Sequence, residues 1–151
     1  MMERPYPLKN PLLKRMNSAL YKMEETGEVD LGFLSHIDEF RHHIDKVKAR
    51  WVENSNTEGF YFYLAAHSME LILGRMQERF QEAGRAHDNP AVALDTLALL
   101  PEFDKTLDLL AHDEITPESI DTILDRTRIL RDVAEDRNLI CLLYTSPSPR
   151  D

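Results

Sequence analysis

The sequence predicts an all-α fold, an up-down bundle of five to six helices followed by a disordered C-terminal tail. Strong helix formers such as Ala, Leu, Met, Glu, Arg and Lys are plentiful, whereas the 151 residues contain only five glycines. Apolar residues also recur at steps of three and four, which is the spacing of one face of a helix. We place a single helical domain at residues 1–140 and assign residues 141–151 to a non-native tail.

The first two helices have recognisable ends. Asn10 followed by Pro11 predicts a capped helix start, and Gly27 predicts the end of that helix after Thr26. The second helix is predicted to begin at the capping residue Asp30 and to end at Trp51 or Glu53. Its apolar face is narrow and its opposite face is charged, so we expect it to pack on one side only.

The third helix is predicted from about Asn56 to Ala83, with Gly84 ending it, and it should be the most buried. Its main apolar stripe consists of Phe62, Ala65, Ala66, Met69, Ile72, Leu73, Met76 and Phe80. Four more apolar residues are expected to widen this stripe, namely Phe60, Tyr63, Leu64 and Leu71.

The C-terminal third should contain two or three further helices. Asn89-Pro90 predicts a helix start, and Pro101 should break that helix into two pieces, the second reaching about Ala111. Thr116-Pro117 predicts the start of the last helix. Its inward stripe is predicted to comprise Ile120, Ile123, Leu124, Thr127, Leu130 and Ala134. Arg137 follows Ala134 by three residues and so continues this spacing, which predicts a guanidinium on the apolar face of the helix.

Composition excludes several function classes. The net charge of −9 opposes non-specific nucleic-acid binding, although it allows a small local cationic site. Cys141 is the only cysteine and lies in the tail, so we expect neither disulfides nor a cysteine-based metal site. The apolar stretch from Phe60 to Leu73 is interrupted by His67 and Glu70, so no membrane span is predicted. Since the N-terminus is polar, no signal peptide is expected and a cytoplasmic location is the default.

The sequence gives little support for a metal site or for a catalytic nucleophile. Glu39-x-x-His42 has the spacing used by di-iron bundles, but Glu39 falls opposite Ile37 on the polar face and a second copy is missing. A solvated charged face is the favoured interpretation, and His67 is interpreted as a core histidine. No Gly-x-Ser-x-Gly elbow or glycine-rich phosphate loop occurs. We therefore predict no metal and no cofactor.

The stretch from Ile123 to Ile140 is strongly amphipathic and closes with Arg137-Asn138-Leu139-Ile140. It resembles the last long helix of the HEPN superfamily (higher eukaryotes and prokaryotes nucleotide-binding domains). The segment FYFYLAAHSMELILGRM, residues 60–76, also resembles the core helix of that family, although less specifically. The resemblance covers residues 56–140.

The resemblance implies a metal-independent endoribonuclease site. In the family, an arginine followed by a polar residue precedes a histidine, with four to six residues between the two. The histidine shuttles protons near neutral pH, the arginine binds phosphate oxygens, and members commonly act as dimers. Carried over, Arg137 would be the phosphate-binding catalytic residue and Asn138 its polar companion. The intact parent would then bind or cleave RNA, in a defence or toxin–antitoxin role.

The chain departs from the family pattern after Ile140. Residues 142–144 are Leu, Leu and Tyr, so no residue matches the histidine. The ending CLLYTSPSPRD is similar to translated adaptor sequence, and we expect a truncated domain that lacks nuclease activity.

Two other interpretations stay open at this point. Arg137-Asn138 could be an ordinary solvated helix end with favourable charge. The chain could also be a non-catalytic helical protein-interaction module, as its acidic surface and one-sided second helix suggest. The partners predicted by these interpretations are a second copy, RNA or a cognate protein.

Overall fold

A computed structural model describes residues 7–53, 59–86, 91–111 and 115–140. The described residues form five helices and contain no strand, which confirms the predicted all-α bundle. The helices are α1 (Pro11–Thr26), α2 (Phe33–Glu53), α3 (Gly59–Ala86), α4 (Ala91–Leu110) and α5 (Pro117–Asp136). None of these helices combines the length and apolar character needed to cross a bilayer.

The third helix lies at the centre of the bundle, as predicted. It packs against α2, α4 and α5, while α1 packs against α4 and α2. All eight residues of the predicted main stripe of α3 are buried. The burial of this apolar face against three neighbours is the main source of stability that the fold displays.

The ends of α1 follow from local chemistry. The Asn10 side chain accepts hydrogen bonds from the backbone N–H groups of Leu12 and Leu13. At the other end, Gly27 adopts a left-handed conformation with φ of 75°, and its N–H donates to the Met23 carbonyl. A glycine is suited to this position because a side chain would be strained there. The predicted bounds of the first helix are thus confirmed.

The predicted break at Pro101 is wrong, because α4 is continuous from Ala91 to Leu110. A proline inside a helix costs about 3 kcal/mol. Each large apolar side chain that becomes buried contributes about 1.5–3 kcal/mol. Several such residues on both sides of Pro101 share one buried face, so their packing outweighs the cost of the proline. They are Leu99, Leu100, Phe103, Leu107 and Leu110.

Two other predicted boundaries also differ. Helix α3 continues past Gly84 to Ala86. Gly84 does not end the helix, and its lack of a side chain makes room for Leu31: a methyl group at Gly84 would lie 2.5 Å from Leu31 Cδ2. Helix α2 begins at Phe33, because Asp30 instead closes a turn by accepting the Gly32 N–H. The predicted start signals at 56 and 89 lie outside the described residues.

Some residues predicted to face inward are exposed, namely Phe60, Leu71 and Leu124. Tyr63, Leu64, Ile120 and Thr127 are half-buried. The reason is geometric, because neighbouring helices cover only part of the circumference of α3 and α5, and apolar positions beyond that arc meet solvent.

Gly74 and Gly27 give opposite expectations for substitution by alanine. A methyl group at Gly74, inside α3, meets no atom within 4 Å. Gly74→Ala should therefore raise the free energy of unfolding by about 0.5–1 kcal/mol, since alanine favours helix. Gly27→Ala should lower it by about 1–2 kcal/mol, because of its left-handed backbone. Urea denaturation of both variants checks this pair, and a destabilised Gly74→Ala protein would contradict the described environment of α3.

Candidate functional site

The predicted site residues lie where α5 ends, in a Schellman motif. The Leu139 N–H donates to the Ala134 carbonyl at 2.7 Å, and the Asn138 N–H donates to the Glu135 carbonyl at 3.1 Å. Asn138 is left-handed, with φ of 60°, as the motif requires. Asparagine tolerates this conformation better than most residues. Asn138 therefore has a structural role in ending α5, and its catalytic role stays a prediction.

The two residues that follow this turn anchor it. Leu139 and Ile140 are both buried in the core, so the end of α5 is fixed to the bundle. Arg137 is the last residue before the turn, and its backbone conformation has left the helix. The predicted inward phase did not bury it: its side chain is 43% exposed. The long side chain reaches along the surface instead of entering the core.

Arg137, which directly follows α5, belongs to a cluster of three charged residues with one residue of α3 and one of α4. Arg79 of α3 donates from Nη1 to Asp95 Oδ2 of α4 at 2.8 Å. The same Nη1 donates to the Arg137 carbonyl at 2.8 Å. Arg137 Nη1 lies 3.7 Å from Asp95 Oδ1. Asp95 thus faces a guanidinium with each of its oxygens, and Arg79 ties the end of α5 to α3.

The charges of this cluster do not balance. Two guanidinium groups surround one carboxylate, which leaves a formal excess of one positive charge. The side chains of Arg79 and Asp95 are only 18% and 22% exposed, whereas that of Arg137 is open to solvent. Arg137 can therefore be reached by an oxyanion, for which a guanidinium is a good donor. The described partners of Arg137 include no histidine, so the cluster by itself supports the binding of an oxyanion.

The structure does not bring His67 or Tyr61 to Arg137. His67 precedes Arg79 by twelve residues in α3, which corresponds to about 18 Å along the helix axis. His67 instead stacks on Tyr63, with parallel rings whose centroids are 6.2 Å apart. Tyr61 lies still further from Arg79 and is half-buried against the core. A histidine partner for Arg137 is thus not supplied by α3.

A second charged cluster joins α2 to α3. Lys48 Nζ donates to Glu70 Oε1 at 2.5 Å and lies 3.4 Å from His67 Nδ1. The hydrogen bond from Lys48 lowers the pKa of Glu70, and the same bond raises the pKa of Lys48. Both side chains are about three-quarters buried, so this bond helps to hold α2 against α3.

The Glu-x-x-His sequence of α2 lies on the outer surface, as predicted. Glu39 pairs with Arg15 of α1 at 2.9 Å. His42 Nδ1 lies 2.9 Å from the Asp38 carbonyl. Within the part of the chain that the structure describes, no three His, Cys, Asp or Glu side chains are grouped so as to hold a metal ion. His87, His112 and Cys141 lie outside that part.

Sequence reasoning missed Arg79 and Asp95, although one signal was present. Asp95 stands alone in the apolar run AVALDTLALL, just as Glu70 stands in HSMELILG. A carboxylate inside an apolar helical run needs a cationic or hydrogen-bonding partner, because burying it alone is costly. Which partner it finds depends on which helix packs against it.

Comparisons of the chain with family models, with curated proteins and with solved structures gave no match. Functional inference therefore depends on the residues of this chain and on the resemblance they carry.

The Lys48–Glu70 bond should make stability depend on pH in a defined direction. The pKa of Glu70 is lowered from 4.5 in the folded protein, so its contribution is present above about pH 4.5 and is lost as the pH falls through the lower folded value. Glu70→Gln should reduce the free energy of unfolding by about 0.5–1 kcal/mol at pH 7, with the difference shrinking in acid.

Urea denaturation from pH 3 to 7 measures this difference. Glu78→Gln is the control, since Glu78 is an exposed carboxylate of the same helix paired with Arg75. An equal effect of Glu70→Gln at every pH would show that the bond is not the cause.

Proposed function

We propose that this chain is a HEPN-like helical domain whose intact parent binds RNA or cleaves it without a metal ion. In this proposal Arg137 binds a phosphate of the RNA, and Asn138 holds the backbone turn that presents it. The setting that we infer is a defence or toxin–antitoxin system. The observation that carries the proposal is the exposed Arg137 guanidinium, fixed at the end of α5 in a cluster with excess positive charge.

The fixed position of Arg137 supports this role. The Schellman turn, the buried Leu139 and the bond from Arg79 restrict the backbone of Arg137 from three directions. A binding group held in place loses less conformational entropy when its ligand arrives. A Schellman turn with a hydrophobic contact is a common helix end, so the bond from Arg79 to the Arg137 carbonyl is the restraint that is particular to this one.

The role of this particular chain is narrower than that of its parent. The resemblance places the proton-transferring histidine a few residues after Arg137, where this sequence has Leu142, Leu143 and Tyr144. Arginine does not lose its proton at neutral pH, so Arg137 cannot replace that histidine. We expect the chain as written to bind RNA weakly and not to cleave it.

A second copy of the chain is the partner that the family resemblance implies. Pairing would place two Arg137 residues along one cleft and would double the local positive charge. Light scattering under reducing conditions tests for pairing. A Cys141→Ser variant serves as control, since that thiol could form an unrelated disulfide dimer.

The second candidate function is a non-catalytic helical protein-interaction module. The observation in its favour is that both residues of the Arg-Asn pair already have structural partners: Asn138 ends α5, and Arg137 faces Asp95. Exposed apolar side chains such as Leu71 and Leu124 would then contribute to the contact with a partner protein.

Arg137→Ala should weaken the binding of short single-stranded RNA about tenfold, since a charge-assisted hydrogen bond contributes about 1.5–3 kcal/mol before competition from Asp95. The slope of the logarithm of affinity against the logarithm of salt concentration should fall by about 0.7, as expected when one phosphate is no longer neutralised by the protein. Fluorescence anisotropy at several salt concentrations measures both quantities.

Arg128→Ala is the matched control for this experiment. Arg128 lies on the same helix and also pairs with carboxylates, those of Asp125 and Asp132, but it is outside the cluster. Equal weakening in the two variants would indicate a general charge effect and would contradict a site at Arg137. Sequencing the native transcript beyond the codon for Ile140 tests the nuclease parent, and the absence of a histidine codon there would exclude it.

A further inference from the structure

We propose that the outer face of α4 is the surface through which two copies of this chain pair, with the two α4 helices antiparallel about a two-fold axis beside Ala98. The inference deepens the proposed function and rests on it, because it names the surface by which a second copy would bring two Arg137 side chains together. Three features of α4 support the pairing: its composition, its position between two flanking helices, and the charges on its exposed side.

Helix α4 is apolar on nearly all of its sides. In its first eleven residues, AVALDTLALLP, the two polar residues are Asp95 and Thr96. A surface helix normally has one polar face, whereas a helix that is apolar all round is normally buried. Yet Leu94 is 48% exposed, which makes it the most exposed large apolar side chain that the structure describes. The sequence of α4 is therefore that of a helix covered on every side.

Neighbouring helices cover three sides of α4. Asp95 faces Arg137 at the end of α5, whereas Asp104 accepts a hydrogen bond from the backbone N–H of Asn10 at the start of α1. Nine residues separate the two aspartates, which corresponds to about 180° around a helix. The α5 and α1 helices therefore lie on opposite flanks of α4, and α3 packs against it as well.

The remaining side of α4 faces away from the bundle. Leu94 precedes Phe103 by nine residues, so the two side chains point in opposite directions, and Phe103 is fully buried. Ala98, Pro101 and Lys105 share the side of Leu94, since they follow it by steps of three and four residues. Among these four residues Lys105 alone is charged. We call this side, with the adjacent flanks of α1 and α5, the α4 face.

The exposed apolar residues of other helices have charged neighbours. On α3, Leu71 shares its side with Arg75 and Glu78, which pair with each other. On α5, Leu124 is followed four residues later by Arg128, which pairs with two carboxylates. The α4 face is thus better suited to a dry contact with an apolar surface.

The size of the α4 face fits a folded partner. A helix of 20 residues is about 30 Å long, and the flanking helices lie about 8–10 Å to either side, so the face measures about 750 Å². A specific protein–protein contact buries about 800 Å² on each partner. A single peptide helix is about 10 Å wide and would leave more than half of this face uncovered.

A second copy brings an identical face, and Lys105 selects its orientation. If the two α4 helices ran parallel about a two-fold axis, Lys105 would face its own copy. In an antiparallel pair with the axis beside Ala98, the two lysines lie about 21 Å apart along the helices, well beyond the Debye length of about 8 Å. Leu94 of each copy then lies near Pro101 of the other, and the small side chain of Ala98 lets the two helices approach closely.

The antiparallel arrangement also decides where the two Arg137 side chains lie. Its two-fold axis runs across the helices in the plane of the contact, so α5 of both copies flanks the same edge of the interface. Asp95, which Arg137 faces at 3.7 Å, precedes Ala98 by three residues, or about 4.5 Å along α4. The two Arg137 residues are therefore about 9 Å apart along the helix direction, at one edge. A parallel pair would place them at opposite edges.

The first test measures pairing of the full chain with Cys141→Ser, so that disulfides do not contribute. Sedimentation equilibrium should give a monomer–dimer equilibrium with a dissociation constant of about 10 µM or below, as interfaces of this size show. Leu94→Glu should raise that constant at least about tenfold, because it places two carboxylates in an apolar contact. Leu124→Glu is the matched control, since Leu124 is similarly exposed but lies outside the α4 face, and it should leave the constant unchanged.

Two results of this test would overturn the proposal. One is a chain that stays monomeric at about 100 µM, a concentration well above the expected range, whatever other protein covers the α4 face. The other is equal weakening by Leu94→Glu and Leu124→Glu, which would show a general charge effect.

The second test checks the orientation by disulfide cross-linking. With Cys141→Ser also present, Ala98→Cys should join to its own copy rapidly under mild oxidation, because the two positions meet at the axis. Ala91→Cys should react far more slowly, since it lies seven residues from the axis and about 21 Å from its own copy. Faster joining at position 91, or equal rates at both positions, would contradict the antiparallel pair. Circular dichroism establishes that each variant is folded.

The outcomes separate this inference from the proposed function. Added salt should strengthen the pairing of two chains that each carry a net charge of −9, whereas it should weaken RNA binding. If the chain pairs through the α4 face but its RNA binding does not depend on Arg137, the RNA proposal is wrong and the surface stands. If RNA binding depends on Arg137 but the chain is monomeric, the surface is wrong and the RNA proposal stands.

Discussion

The apolar face of α3 is the feature that organises the bundle around it. Its eight stripe residues are buried, and the helix packs against α2, α4 and α5. The strength of this packing explains two departures from local preference. Helix α4 continues through Pro101, and α3 continues through Gly84. In each case the contacts with neighbouring helices outweigh the tendency of proline or glycine to end a helix.

The same packing creates the charged clusters. Because α3 and α4 lie side by side, Arg79 meets Asp95, a carboxylate that an apolar run would otherwise have left without a partner. Because α5 packs against both, the end of its last turn meets this pair. The Lys48–Glu70 bond has a similar origin at the contact of α2 with α3. In each case a charged residue within an apolar helix finds its partner across a helix–helix contact.

The candidate function follows from how the end of α5 is held. A Schellman turn with Asn138 at its left-handed position and two buried residues behind it presents Arg137 at a fixed point on an acidic protein. The arrangement leaves the Arg137 guanidinium open to solvent, and our proposal that it binds RNA comes from the resemblance to HEPN domains. Proton transfer would need a further residue, and the described neighbours of Arg137 do not supply one.

Local patterns of residues were enough to specify the fold class, most of the core and several helix ends. The helix ends depend on interactions within a few residues, such as Asn10 with Leu12, the left-handed Gly27, and Thr116 with Ser119. Apolar spacing correctly identified the buried stripe of α3 for the same reason, since a helix places residues three and four apart on one face.

Packing between helices, in contrast, settled which apolar positions stay exposed, whether Pro101 breaks its helix, and what surrounds Arg137. Arg137 and Asn138 could be singled out from the sequence, but Arg79 and Asp95 could not be assigned to them. The physical reason is their distance along the chain: Asp95 follows Arg79 by 16 positions, and Arg137 follows Arg79 by 58. Their contact depends on how three helices pack, which no local pattern of residues specifies.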